Sequence, residues 1–286
     1  QKADGTWTAD PADVTATDVA DSLTVQVRAS VPGVYEGYVY DEQLLSVTPR
    51  PVEVTAVNST KTYDGTPLTC ADYALAADGF VGHEGFESVF VEGSQTLVGS
   101  SGNAIVGYEF NALTNPGNYA VSTVDGTLEV TPRAVVFKGE TKTVKYTGSE
   151  QEITGVEAVG LVEGQTFELA YSAKGTLPNA DPGYPGSFSG EARILAADGS
   201  DATANYSVEY APGALRITTA DIAGNVTITP ADVVETYDGT AHVAGTAAAA
   251  DANGNDVLVE YQKADGTWTA DPADVTATDV ADSLTV

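Results

Sequence analysis

Apolar and polar residues alternate with a period of two along much of the chain. In the stretch 22–30, Leu23, Val25, Val27 and Ala29 fall on one face, and Thr24, Gln26 and Arg28 on the other. The stretches VEVTAV (52–57), TLEVTP (127–132) and ALRITT (214–219) behave alike. Such alternation places one face of an extended strand against a core and the other in water. Asp-Gly pairs punctuate the runs at Asp4-Gly5, Asp64-Gly65, Asp125-Gly126, Asp198-Gly199, Asp238-Gly239 and Asp265-Gly266. This pair suits the positive φ of tight hairpin turns. Helical periodicity is missing throughout, and the alanine-rich 245–254 comes nearest to it. The pattern predicts an all-β chain of short strands.

Repetition organises these strands. Residues 262–286 reproduce residues 1–25 letter for letter, an offset of 261. Within that period a degenerate motif recurs as TKTYDGT (60–66), TVKYTGS (143–149) and VETYDGT (234–240), with Tyr63, Tyr146 and Tyr237 at its centre. The endings also match: GNYAVSTVDGTLEVTPR (117–133), ANYSVEYAPGALRITTA (204–220) and, more loosely, VYEGYVYDEQLLSVTPR (34–50). These landmarks predict complete β modules over 51–133 and 134–220. They read 1–50 as the C-terminal part of a module of the preceding repeat, and 221–286 as the N-terminal part of the module type that 1–50 completes. A chain that opens on Gln1 and lacks methionine is expected to be an interior piece of a longer protein. Units of this size with several short strands predict tandem small β-sandwich modules of immunoglobulin-like type. A β-grasp-like module is the alternative. Short linkers, some with proline, favour an elongated rod.

Charge narrows the partners. The net charge of −29 disfavours nucleic acid, which needs a basic face. No apolar run approaches the ~20 residues of a membrane helix, so direct membrane insertion is not expected. The single cysteine, Cys70, rules out an internal disulfide.

The pattern KTYDGT, then GSQTLVGSSGN, then NYAVSTVDGTLEVTPR resembles the YDG- and MBG-type tandem repeats of large bacterial, Gram-positive-like, cell-surface adhesins. The resemblance covers nearly the whole chain. It implies an extracellular, wall-anchored location through parts outside this fragment, a role as a stalk projecting a distal binding domain, and host glycan or protein as the partner of the parent adhesin. It brings no catalytic residue. Two other readings stay open: the repeats themselves bind host glycan or mucin, or they assemble into a surface filament through self-association of the complementary half-modules 1–50 and 221–286.

A search for chemistry turns up little. His83 and His242 lie in different units, and no nucleophile elbow, phosphate loop or zinc motif occurs; an enzyme is not expected, and no cofactor. The turn DANGND offers Asp251, Asn253, Asn255 and Asp256 as oxygen ligands for Ca2+, without the distal bidentate glutamate of a full calcium loop. Trp7 and Trp268 share one repeat position and are the candidate ligand contacts, since exposed tryptophan stacks on sugars and anchors interfaces. Lys61 has Val144 and Glu235 at the equivalent positions, so a Lys–Asn crosslink common to all units is not expected.

Overall fold

The fold, taken from a computed structural model, is described for residues 1–282 other than 3 and 78. The last residues of the second copy of the repeated segment, and with them the end of the 221–286 stretch, lie outside the described residues. The chain is all-β. Its helices, among the described residues, are short 3₁₀ turns such as Pro11–Asp13 and Pro116–Asn118. None is long enough to cover a sheet as a β-grasp helix does, and strands pack on strands instead. Two compact units can be distinguished. One comprises Gln1–Val136, Ala158–Glu168 and Ala192–Glu209; the other comprises Phe137–Glu157, Leu169–Glu191 and the chain from Tyr210 on.

In the first unit, β1 (Leu23–Ala29) pairs antiparallel with β2 (Val39–Leu45) as a two-stranded sheet. The strands that follow are β3 (Arg50–Ala56), β4 (Ser59–Thr62), β5 (Tyr73–Leu75), β6 (Phe86–Glu92), β7 (Gly99–Phe110), β8 (Tyr119–Val124) and β9 (Gly126–Thr131). They build two sheets, ordered β5-β3-β8 and β4-β9-β7-β6. β3 is parallel to β8, and β4 to β9. Both ladders keep one constant register: Arg50 lies beside Tyr119 and Val52 beside Val121 in the first, Ser59 beside Leu128 and Thr62 beside Thr131 in the second. Thus β3–β4 and β8–β9 are two long strands that leave one sheet and join the other at the same height. Val52 and Val54 of β3, with Leu128 and Val130 of β9, are buried, while the residues between them face water. Each buried aliphatic side chain contributes about 1.5–3 kcal/mol.

The crossover corrects one expectation. Asp125-Gly126 is not a hairpin turn: Gly126 opens β9, has no positive φ and is buried. A Cβ placed there would lie 2.6 Å from the Ala56 carbonyl oxygen, so glycine is required by close backbone approach. Asp125 Oδ1 accepts the Ile105 N–H at 3.1 Å, and Asn58 Oδ1 accepts the Thr127 N–H at 2.7 Å, holding the two switching strands in place. At Gly5, Gly65, Gly199, Gly239 and Gly266 the glycine does take a positive φ, between 80° and 85°.

The same plan recurs downstream. The strands are β10 (Arg133–Gly139), β11 (Lys142–Lys145), β12 (Gln151–Ile153), β13 (Val156–Val159), β14 (Thr166–Gly175), β15 (Tyr184–Pro185), β16 (Ser187–Leu195), β17 (Tyr206–Ala211) and β18 (Ala214–Thr218). The sheets are ordered β13-β10-β17, β11-β18-β15 and β12-β14-β16. β11 is parallel to β18, as β4 is to β9, with Lys142 beside Leu215 and Lys145 beside Thr218. A cluster of Ile153, Tyr171, Ala173, Leu215 and Ile217 fills the second unit's core, with Val144, Tyr146 and Phe188 packed against it.

From residue 221 on, the pieces are shorter: β19 (Val226–Thr229), β20 (His242–Val243), β21 (Ala248–Asp251), β22 (Tyr261–Gln262), β23 (Trp268–Thr269) and β24 (Thr276–Ala277). They form three two-stranded sheets, β19-β21, β20-β24 and β22-β23. The alanine-rich stretch thus contributes a strand. Residues 231–240 carry the third Tyr-x-Gly motif but lie in no ladder.

Candidate functional site

The Tyr-x-Gly motif is where consecutive repeats meet. The Tyr63 N–H donates to Thr131 O and the Tyr146 N–H to Thr218 O, each at 2.9 Å. These bonds continue the parallel ladders β4–β9 and β11–β18 and fix each tyrosine beside the final strand of its repeat. Tyr63 is buried, its ring set edge-on to Tyr206 at 5.5 Å. Gln165 links the two rings: its Nε2 donates to Tyr63 Oη at 3.0 Å, and its Oε1 accepts from Tyr206 Oη at 2.6 Å. Gly65, at the turn, lies against Val162. At the next position Asn255 Nδ2 donates to Tyr146 Oη at 3.0 Å, and the Asn253 side chain covers Gly148.

The loop that receives the tyrosine is held from behind by two bonds that recur. Tyr119 Oη accepts the Val81 N–H at 3.1 Å, and Tyr206 Oη accepts the Val162 N–H at 3.0 Å. Arg50 Nε donates to Gly79 O at 2.7 Å, and Arg133 Nε to Gly160 O at 2.6 Å. Burial raises the pKa of the Tyr119 and Tyr206 hydroxyls above the ordinary tyrosine range, so both stay protonated and donate, Tyr119 to Glu84 and Tyr206 to Gln165. A further repeated bond comes from the Asn-Tyr ending: Asn118 Oδ1 accepts the Val19 N–H and Asn205 Oδ1 the Val98 N–H, each at 2.9 Å. Sequence reading found the Asn-Tyr and Thr-Pro-Arg endings but assigned them no role. Setting GFVGHEGF (79–86) under GLVEGQTF (160–167) would have exposed the receiving loop.

The two candidate tryptophans occupy different surroundings despite identical flanking sequence. Trp7 is half-buried: the Arg28 guanidinium sits 4.1 Å above it and Tyr40 meets it edge-on at 5.9 Å. Both covering residues come from the 26–50 stretch. Trp268 is 60% exposed and lines an open groove of about 660 Å³ with Ile228, Val233, Val234, Tyr237 and Val243. Asp232, Glu235, Glu260 and Asp279 line the same groove, so its walls are mixed.

The DANGND turn gathers its donors around one carboxylate. Asp251 Oδ2 accepts the N–H groups of Asn253 and Asn255, at 2.9 and 3.2 Å, and Asn255 Nδ2 at 2.8 Å. The Asn255 backbone bond leads in holding the Asp251 carboxyl below its usual pKa. A hard cation would compete with three N–H donors for that oxygen. Asp256 takes no part in these bonds. Among the described residues, no three His, Cys, Asp or Glu side chains converge as metal ligands. His83 is exposed, and His242 Nε2 lies 3.1 Å from Asp238 Oδ1 in a surface turn. Cys70 is half-buried with its Sγ 4.0 Å from Asp72 Oδ2. No helix among the described residues is long and apolar enough to cross a membrane. Comparison of the chain with models of protein families, with curated proteins and with solved structures finds no match.

Proposed function

We propose that this chain is a stalk repeat of a large bacterial cell-surface adhesin, a spacer that holds a distal binding domain away from the wall. The observation that carries this reading is the constant register between the paired long strands, Arg50 beside Tyr119 and Thr62 beside Thr131. The chain enters this sandwich at one end, along β3–β4, and leaves it at the other, along β8–β9. At ~3.3 Å per strand residue the path advances roughly 40 Å. A pull applied between Arg50 and Thr131 loads both parallel ladders along their length, so their hydrogen bonds must yield together. The recurrent tyrosine joints favour the same reading, because each fixes the exit of one repeat against a loop of the next. High negative charge suits an extracellular surface, where it keeps neighbouring copies apart. In this reading, host glycan or protein is bound by the distal domain, and the repeats contribute reach.

Displaying one binding domain on cells through zero, one, two or three copies of the long period tests this. Capture of a ligand recessed behind a polymer brush is expected to rise with period number, and the repeats alone are expected to leave a glycan array blank. Clear glycan binding by the repeats would assign them the recognition role and overturn the spacer reading.

A further inference from the structure

A strand pulled along its own length must break the bonds on both its flanks together, so both flanks set the load it holds. In the 51–133 repeat, β9 has β4 parallel on one side and β7 antiparallel on the other. β7 runs beside it from Gly99 opposite Val130 to Asn103 opposite Gly126. β7 is itself laddered to β6, from Phe86 opposite Phe110 to Glu92 opposite Ala104. One four-stranded sheet therefore backs the final strand.

The 134–220 repeat keeps the first flank and changes the second. β11 lies parallel to β18, Lys142 beside Leu215 and Lys145 beside Thr218. On the other side stands β15, reduced to Tyr184 opposite Leu215 and Pro185 opposite Ala214. The sheet ends there among the described residues, and β16 belongs to a separate sheet with β12 and β14. Pro185 supplies no N–H. The rest of the flank is loop. The Gly186 N–H donates to Gly213 O at 2.9 Å. The Asn179 N–H donates to Ile217 O, and Asn179 Oδ1 accepts the Ile217 N–H, each at 3.0 Å. Tyr184 Oη donates to Leu177 O at 3.0 Å, which ties the loop to itself and not to a neighbouring strand.

We propose that tension opens the 134–220 repeat before the 51–133 repeat, with Asn179 as the latch on β18, so that the chain carries a sacrificial extension. Once the latch yields, the loop and the two residues of β15 leave β18, and β11 alone holds it. In the other repeat β7 cannot follow β9, because β6 holds it along its length. Opening either repeat lengthens the chain by roughly 250 Å, about 85 residues at 3.3–3.6 Å each less the folded length. When the 134–220 repeat opens, the loss of Gln165 and Tyr206 uncovers Tyr63, while β3–β8 and β4–β9 keep their ladders. The use of such an extension to an adhesin rests on the stalk reading; the order of opening rests on the ladders alone, so pulling and surface display fail independently.

The test pulls the whole chain from its two ends at constant force, in a C70A background. The two repeats release similar lengths, so disulfide staples identify them. Thr143 lies beside Arg216 and Thr60 beside Glu129. Oxidised T143C/R216C, bridging β11 and β18, is expected to remove the early step. Oxidised T60C/E129C, bridging β4 and β9, is expected to remove the late one, and reduction is expected to restore each. Steps that neither staple removes belong to the flanking stretches 1–50 and 221–286. N179A is expected to shorten the waiting time of the early step about tenfold and to leave that of the late step within about twofold of the parent. Removal of the late step by T143C/R216C overturns the proposal, as does opening of both repeats in a single step. So does an N179A variant that changes both waiting times equally, or neither.

Discussion

An aspartate followed two positions later by a hydroxyl makes a self-contained turn, and this chain uses it repeatedly. Asp4, Asp64, Asp198, Asp238 and Asp265 each accept from the backbone N–H and the hydroxyl of Thr6, Thr66, Ser200, Thr240 and Thr267. The hydroxyl bond is the main cause of the lowered carboxyl pKa at Asp4, Asp198, Asp238 and Asp265; at Asp64 the Lys61 ammonium, 2.7 Å away, leads. A pKa lower in the folded than in the unfolded chain stabilises the fold above the unfolded value and is lost as pH falls. Thermal melts are therefore expected to hold steady from neutral pH to about pH 5 and to drop below about pH 4. Acid also relieves charge repulsion, so D64N is the control: its melting temperature is expected to fall less than the parent's between pH 7 and pH 3. An equal fall in both would remove the turn carboxylates from the explanation.

The Asp125-Gly126 pair behaves otherwise, and the reason is steric. Gly126 touches backbone where the two long strands cross between sheets. G126A is expected to destabilise the 51–133 sandwich by about 2 kcal/mol or more, since neither Ala56 nor Val57 backbone can yield. Denaturant unfolding of the variant measures this, and a change within about 0.5 kcal/mol would show that the crossover relaxes freely. Nothing in the letters Asp125-Gly126-Thr127 separates this pair from Asp64-Gly65-Thr66. The difference comes from the end of β3, a strand at the far end of the same module.

At the scale of strands, alternation was sufficient where one face meets a core. The runs at 22–30, 52–57, 127–132 and 214–219 fall on β1, β3, β9 and β18. What alternation does not encode is which sheet a strand joins, because a strand that switches sheets keeps its period and changes only its neighbours. The joints were half legible for a related reason. Tyr63, Tyr146 and Tyr237 stand out as a repeat, but Gln165 and Tyr206, which complete the first joint, belong to the following repeat and carry no local signal beside Tyr63. Y63A removes a buried ring, its edge-on contact and one hydrogen bond, and is expected to cost about 3 kcal/mol. Y63F keeps the ring and is expected to cost about 1 kcal/mol. Equilibrium unfolding of both variants decides the matter. Equal losses would place the joint's strength in the hydroxyl, and negligible losses would leave the two repeats uncoupled at Tyr63.

For the whole molecule, copy number becomes the variable. In the stalk reading proposed above, a module entered at one end and left at the other converts added sequence into added length. That reading takes the paired long strands in constant register as the basis of the conversion, and the acidic surface as what keeps neighbouring copies apart. The most direct measurement is small-angle X-ray scattering from chains carrying one, two and three copies of the long period, at low concentration. The account predicts a maximum dimension that rises linearly, on the order of 110 Å for each added period. A maximum dimension that barely grows while the mass triples, as in a chain that folds its repeats back on themselves, would contradict it.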